Sequence, residues 1–168
     1  APLKPTYLRF EGAGGQHGYA YANLSGAVTS GRFSLLAAGS YRRSDGYRHN
    51  TDFANYNAFV RATYEASRAG FFDLQAGYQN RTFGSNGFYA AYNPDQWEAT
   101  STALASLRWL KQAGRFSFGA SASYRKNFDR YDWTRGTAMN RHNTDNVGAR
   151  LWADYDWRAG TTSLGGDY

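Results

Sequence analysis

From Gly114 to Arg125 the chain alternates Phe116, Phe118, Ala120, Ala122 and Tyr124 with Ser117, Gly119, Ser121, Ser123 and Arg125. A side-chain period of two sends each set to its own side of a β-strand, whereas on a helix the same residues would scatter around the axis. The unit recurs: Gly31 leads into Phe33, Leu35, Ala37, Gly39 and Tyr41, and Gly70 leads into Phe72, Leu74, Ala76 and Tyr78. Each copy is a glycine turn, an alternating run and a closing aromatic. Strands of this kind carry one apolar and one polar face.

Composition matters here for what it removes. Mean hydropathy is −0.69, and no apolar run approaches the roughly 20 residues of a membrane helix, so any membrane-spanning part of this sequence is β. Without cysteine there are no disulfides and no thiolate metal sites. The 14 Tyr, 11 Phe and 5 Trp suit two architectures equally. One is a barrel with aromatic belts at the membrane–water boundary; the other is an aromatic-rich soluble sandwich.

Connection lengths separate the two. Tight turns are expected at Thr29–Arg32, Ala66–Gly70, Lys111–Gly114 and Trp157–Gly160, each with a glycine where positive φ is needed. Between them fall longer polar stretches at Ser44–Asp52, Thr82–Trp97 and Asn127–Asp145. Short and long connections alternate, as in outer-membrane barrels with short periplasmic turns and long external loops. A sandwich has no reason to sort its loops by parity. The expected strands are Thr6–Glu11, Tyr19–Val28, Arg32–Arg42, Phe53–Tyr64, Phe71–Asn80, Ala99–Trp109, Arg115–Lys126, Asn146–Asp156 and Thr161–Asp167.

On that scheme the lipid-facing sets begin or end on aromatics, as in Tyr56, Ala58, Val60, Ala62 and Tyr64. Phe33 and Tyr41 then lie about 20 Å apart along the membrane normal, close to the expected apolar band. The other face carries Ser34, Ser40, Arg42, Asn55, Asn57, Arg61, Thr63, Asp73, Gln75, Gln79, Arg81, Asn146, Arg150, Asp154 and Asp156. It reads as a lumen, solvated or lined against a polar plug, the reverse of a lipocalin. The length would suit a complete eight-stranded barrel, yet nine strands are counted and single-chain bacterial barrels close with an even number. Ala1–Pro5 is neither a start nor a signal peptide, and Thr161–Tyr168 has little of the apolar alternation of a closing strand. Residues 1–168 are therefore expected to be part of one larger barrel domain.

Three runs carry a family resemblance. They are Tyr78–Thr82 followed by Gly84–Tyr89 and Tyr92–Glu98, then Ser40–Tyr47, and then Tyr124–Asp132. In order and spacing they resemble the early barrel strands and the third-loop region of TonB-dependent outer-membrane receptors, in particular the Bacteroidetes branch related to the vitamin B12 receptor. The resemblance extends over nearly the whole chain. It implies a fragment, about nine strands, of a 22-stranded antiparallel transmembrane β-barrel occluded by an N-terminal plug. It further implies active uptake of a scarce nutrient, cobalamin or iron as siderophore or haem, across the bacterial outer membrane. Energy would come from the TonB complex through the plug, which this sequence does not include. Further partners would be outer-membrane lipid, lipopolysaccharide and a surface lipoprotein. No enzymatic role and no resident cofactor are expected.

The loops hold the candidate ligand contacts. Tyr89, Tyr92, Trp97, Arg130, Tyr131 and Trp133, with Arg135, could form an external platform, because flat rings contact large ligands at little entropic cost; each also reads as an ordinary loop or girdle residue. Some B12 receptors of the resembling group hold calcium with loop carboxylates, and Asp95, Asp129 and Asp132 are the nearest equivalents. They lack the dense run that six to eight oxygen ligands require. Arg-His-Asn-Thr-Asp occurs at Arg48–Asp52 and again at Arg141–Asp145. His49 and His142 could be paired ligands, but Asn and Asp there fit turns better. His17 reads as a loop residue, and no phosphate loop, nucleophile elbow or zinc motif is present.

The net charge of +6 is spread over turns, loop mouths and the polar face without a contiguous block, which speaks against nucleic acid. A passive porin-like channel is the main functional alternative. An outer-membrane hydrolase is the weaker one, since no paired Ser and His or paired carboxylates stand out on the inferred faces.

Overall fold

The computed structural model describes residues 6–168, so Ala1–Pro5 lies outside them. Nine strands follow one another: β1 (Tyr7–Gly14), β2 (Ala20–Ser30), β3 (Phe33–Ser44), β4 (Phe53–Ala66), β5 (Gly70–Gly84), β6 (Trp97–Ala113), β7 (Phe116–Thr134), β8 (Thr137–Trp157) and β9 (Gly160–Asp167). Every strand pairs antiparallel with the next, giving one nine-stranded sheet in chain order. Contacts between elements run only between sequential neighbours, so β1 and β9 do not meet and the sheet is open. The described residues form no helix.

The four expected tight turns all lie at one end of the sheet. Gly31, Gly70 and Gly114 have φ of 55°, 105° and 63°, the left-handed region that glycine enters without a Cβ clash. At the other end the connections are residues 15–19, 45–52, 85–96 and 135–136. The last corrects the expectation of a long loop at Asn127–Asp145. There β7 and β8 run on as a paired hairpin to a two-residue turn at Arg135 and Gly136, with register shifts around Asp132. The segment is polar on both sides and so resembles a loop in composition. Its Phe128, Tyr131, Trp133, Thr137 and Thr144 nonetheless favour a strand, and the two halves satisfy each other's backbone.

Register gives the sheet its tilt. Ser30, Phe33, Tyr64, Phe72, Trp109, Ala120 and Leu151 are successive cross-strand partners and form one row. The β2–β3 turn starts at this row, whereas β4 continues two residues past it to Ala66, β6 four to Ala113 and β8 six to Trp157. The stagger is one residue per strand. With a rise of about 3.3 Å per residue and strands about 4.8 Å apart, levelling the turns inclines the strands by about 35°, at the lower edge of the range for barrels.

The tyrosines follow the same stagger. Tyr41 and Tyr56 stand eight residues above the row, Tyr78 six, Tyr124 four, and Tyr168, paired with Ala149, two. Each strand crossed lowers the position by about one residue, so after tilting these five rings are level. A second level of Phe33, Tyr64, Phe72, Phe116, Tyr155 and Trp157 lies below. Eight residues between Phe33 and Tyr41, foreshortened by the tilt, amount to about 22 Å. Within the levels Tyr41 and Tyr56 rings are 4.6 Å apart, and Phe116 and Tyr155 rings 4.7 Å.

The two faces are inverted relative to a soluble core. On the face bearing these aromatics, Phe33, Val60, Leu74, Leu107, Phe118 and Leu151 are 36–68% exposed. On the opposite face Ser34, Thr63 and Asp73 are buried, and among the described residues the one buried hydrophobic side chain is Ala27. Polar groups there bond across strands. Arg61 donates to both oxygens of Asp73 at 2.9 and 2.7 Å, Gln79 to Asn57 at 2.8 Å, and Thr102 to Asn127 at 2.6 Å.

Gly119 shows how tightly this face is filled, for a Cβ there would land in the ring of its cross-strand partner Trp152. Gly119→Val should destabilise the sheet by about 1–3 kcal/mol through overpacking, read as a lower urea midpoint. Gly166→Val, with open space around it, should shift that midpoint much less.

Candidate functional site at the loop end

The loop end is one interlocked assembly. Arg135, at the tip of the β7–β8 hairpin, donates to both oxygens of Asp52 at 2.7 and 2.9 Å, and its backbone N–H donates to the carbonyl of Asp95 at 2.9 Å. Asn50 donates to the carbonyls of Pro94 and Gln96 at 2.8 and 2.5 Å. Asn93 donates to the carbonyl of Trp133 at 2.7 Å, and His49 meets Asp95 at 2.6 Å. Connections 45–52 and 85–96 and the hairpin tip thus share hydrogen bonds that residues 135–136 could not supply alone. Its bonds to the Asp52 carboxylate hold the Arg135 guanidinium above its usual range.

Asp132 anchors the hairpin. It is fully buried, receives two 2.7 Å bonds from Arg130, and accepts the Gly136 N–H at 2.9 Å. Burial opposes its charge, but Arg130, Gly136 and the nearby Arg141 outweigh that and hold the carboxyl below the usual carboxylate range.

On the polar face beneath this assembly, Tyr89, Glu98, Asp129, Tyr131, Asn140 and His142 line a cleft of about 320 Å³. Register explains the convergence: Glu98, Tyr131 and Asn140 are successive cross-strand partners, and so are Asp129 and His142 one alternation step away. Tyr89 reaches over from the 85–96 connection, with its ring edge-on to Tyr131 at 5.4 Å. A hydrogen bond to Glu98, then burial, pushes the Tyr89 hydroxyl up to about 12. Burial also raises Tyr131, so both hydroxyls stay protonated at neutral pH. Behind the cleft Gln96 is fully buried and accepts the Tyr89 N–H at 3.2 Å.

The sequence-based platform is distributed over three places. Tyr89 and Tyr131 meet in the cleft. Tyr92 and Trp133 contact each other at the outermost tip, with rings 5.9 Å apart. By register parity Trp97 and Arg130 belong to the opposite face, where the guanidiniums of Arg130 and Arg135 lie 5.3 and 5.8 Å from the Trp97 ring. The carboxylates considered for calcium are separated likewise: Asp95 is bonded to His49, Asp132 is enclosed by Arg130, and Asp129 lines the cleft. No cluster of three or more metal-ligating groups occurs among the described residues.

Among the cleft residues Glu98 and Asn140 do not stand out in the sequence as site residues, and His142 does so only as a ligand paired with His49, which instead meets Asp95. Pairing this segment on itself around a two-residue turn at Arg135–Gly136 places His142 opposite Asp129. The two copies of Arg-His-Asn-Thr-Asp also part company. Arg48–Asp52 forms a turn, with Asn50 at φ 52°, as expected, whereas Arg141–Asp145 is strand. No family model, curated protein or solved structure matches the chain.

Because the folded carboxyl of Asp132 is depressed, its contribution is fully present above the unfolded value near pH 4 and is lost as pH falls through the lower folded value. Amide exchange at Gly136, corrected for intrinsic rates, should show constant protection at neutral pH and loss in acid below about pH 4. Asp132→Asn should lower the neutral-pH protection about tenfold or more and abolish the acid dependence.

Proposed function

We propose that this sheet is an arc of a transmembrane β-barrel in the bacterial outer membrane. The observation that carries the reading is the exposed apolar face held between two aromatic levels about 22 Å apart, each level only after the register stagger is applied. Lipid is the environment in which such a face costs nothing and a polar reverse face lines a lumen. Open edges are costly in a bilayer, where backbone groups have no water to bond, so further strands would close the barrel.

The barrel's role, on this proposal, is that of a TonB-dependent receptor importing a scarce nutrient, cobalamin or iron as siderophore or haem. The three runs resembling that family support it. A second support is on the polar face, where Phe59, Gly77 and Leu104 share a register row and the two large side chains are 37% and 43% exposed. An apolar strip inside a lumen suits contact with a plug better than the water of a passive porin. At the outer end, Arg43 and Lys126 each follow an upper-level tyrosine by two residues on the same face. Cations at that height would meet lipopolysaccharide phosphates. Phe88 and Tyr92, 80% and 82% exposed, would offer a surface lipoprotein its contact. Energy coupling would reside in the plug and not in these strands, and the role is binding and transport rather than catalysis.

Two measurements test this. Near the midplane Ala120→Arg should cost about 2–4 kcal/mol in folding from urea into lipid vesicles, whereas Ser121→Arg, on the lumen side, should be tolerated; equal costs would overturn the facing. For the transport role, disruption of the gene should impair growth on limiting cobalamin or haem in a TonB-dependent manner. Ohmic conductance of the reconstituted protein, with no such phenotype, would favour the porin.

A further inference from the structure

Charge that looks scattered along the sequence is sorted by height on the polar face of the sheet. Each strand from β3 to β8 places one arginine there: Arg42, Arg61, Arg81, Arg108, Arg125 and Arg150 in order. The carboxylates of the same face keep to its two ends. Glu65, Asp73, Asp154 and Asp156 each adjoin in sequence a lower-level aromatic, Tyr64, Phe72 or Tyr155, whereas Glu98 and Asp129 line the cleft at the loop end. Arg42 and Arg125 directly follow the upper-level Tyr41 and Tyr124, and Arg81 follows Tyr78 by three residues.

Most of these cations are left without a counter-ion. Of the six, Arg61 alone forms an ion pair among the described residues, and it occupies both oxygens of Asp73, the cross-strand partner of Arg108. Arg150 is opposite Asp167 of β9, but its guanidinium lies 5.6 Å from the Trp152 ring. Arg42, Arg81, Arg108 and Arg125 are exposed and unpaired among the described residues. Their surroundings are neutral. Asn55 stands between Arg42 and Arg81, and the next row down is Ser40, Asn57, Gln79, Thr102 and Asn127, which bond largely to one another.

Arg42 and Arg81 are two strands apart in one row, with Cα atoms about 10 Å apart. That is close to the screening length of about 8 Å at physiological salt. Their fields therefore overlap, and a low-dielectric wall directs them into the water it borders. We infer that this wall gathers small anions, with Arg42, Arg81 and Arg125 setting the charge selectivity of the lumen at the height of the upper aromatic level. The solutes it favours carry carboxylate or phosphate groups. The inference rests on the polar face lining a lumen, and it holds for a receptor and a porin alike. In a receptor it favours a nutrient bearing carboxylates, as haem does, over an uncharged one.

A nitroxide attached through Gln79→Cys, two residues from Arg81 on the same face, reads the local anion concentration in the full chain folded in phosphatidylcholine vesicles. The measured quantity is its collision rate with trianionic chromium oxalate over that with the neutral nickel chelate, relative to the same ratio for free nitroxide. A value of about three or more is expected. Salt at about 1 M, where the screening length is about 3 Å, should bring it close to one. Arg42→Gln combined with Arg81→Gln should do the same, whereas Arg42→Lys with Arg81→Lys should preserve the excess, because charge and not guanidinium geometry produces it. A value of one in the unsubstituted arginine background with nickel reaching Gln79, an excess that survives the glutamines, or one lost with the lysines would overturn the inference and leave the facing intact. Failure of nickel to reach Gln79 would instead remove the lumen reading, and the inference with it.

Discussion

Everything in this sheet hangs on its backbone ladder and on the stagger with which the ladder is built. With one buried hydrophobic side chain among the described residues, there is no apolar core to hold the strands together. Cross-strand hydrogen bonds and the packing of facing side chains do that work. The stagger of one residue per strand then decides where every side chain stands. It tilts the strands by about 35°, levels five tyrosines spread over β3 to the end of β9, and lets β7 and β8 rise above their neighbours.

That rise creates the loop-end assembly. A long hairpin projecting alone would be a solvated ribbon, marginal in water. Here Arg135 is drawn onto Asp52, Asn93 onto Trp133, and Gln96 is sealed beneath. The ties reach across residues far apart in sequence and convert three connections into one rigid rim. The cleft below exists because the rim holds Tyr89 over the strand residues Glu98, Asp129, Tyr131 and His142.

The sequence disclosed some of these features and concealed others for identifiable reasons. Alternation around Phe118, Leu35 and Val60 was visible because one face is apolar and the other polar, and a period of two has no competing reading. The tight turns were visible in Gly31, Gly70 and Gly114. Residues 127–145 lacked that contrast, since a strand polar on both faces has no periodic signature. The pentapeptide Arg-His-Asn-Thr-Asp makes the point most clearly. At residue 48 it is a turn bonded to Pro94 and Gln96, and at residue 141 it is a strand paired with β7. Tertiary pairing, not the five residues, selects the conformation, and that choice carries His142 into the cleft.

The central claim is that the Phe72 face meets lipid while the Asp73 face meets water. The chain has no cysteine, so single nitroxide labels can be placed one at a time from Phe71 to Asn80 in the folded protein in lipid vesicles. Collision rates with oxygen, which concentrates in lipid, should peak at Phe72, Leu74, Ala76 and Tyr78. Rates with a water-soluble nickel chelate should peak at Asp73, Gln75, Gly77 and Gln79. Two profiles rising and falling together, or oxygen maxima at the Asp73 set, would contradict the account.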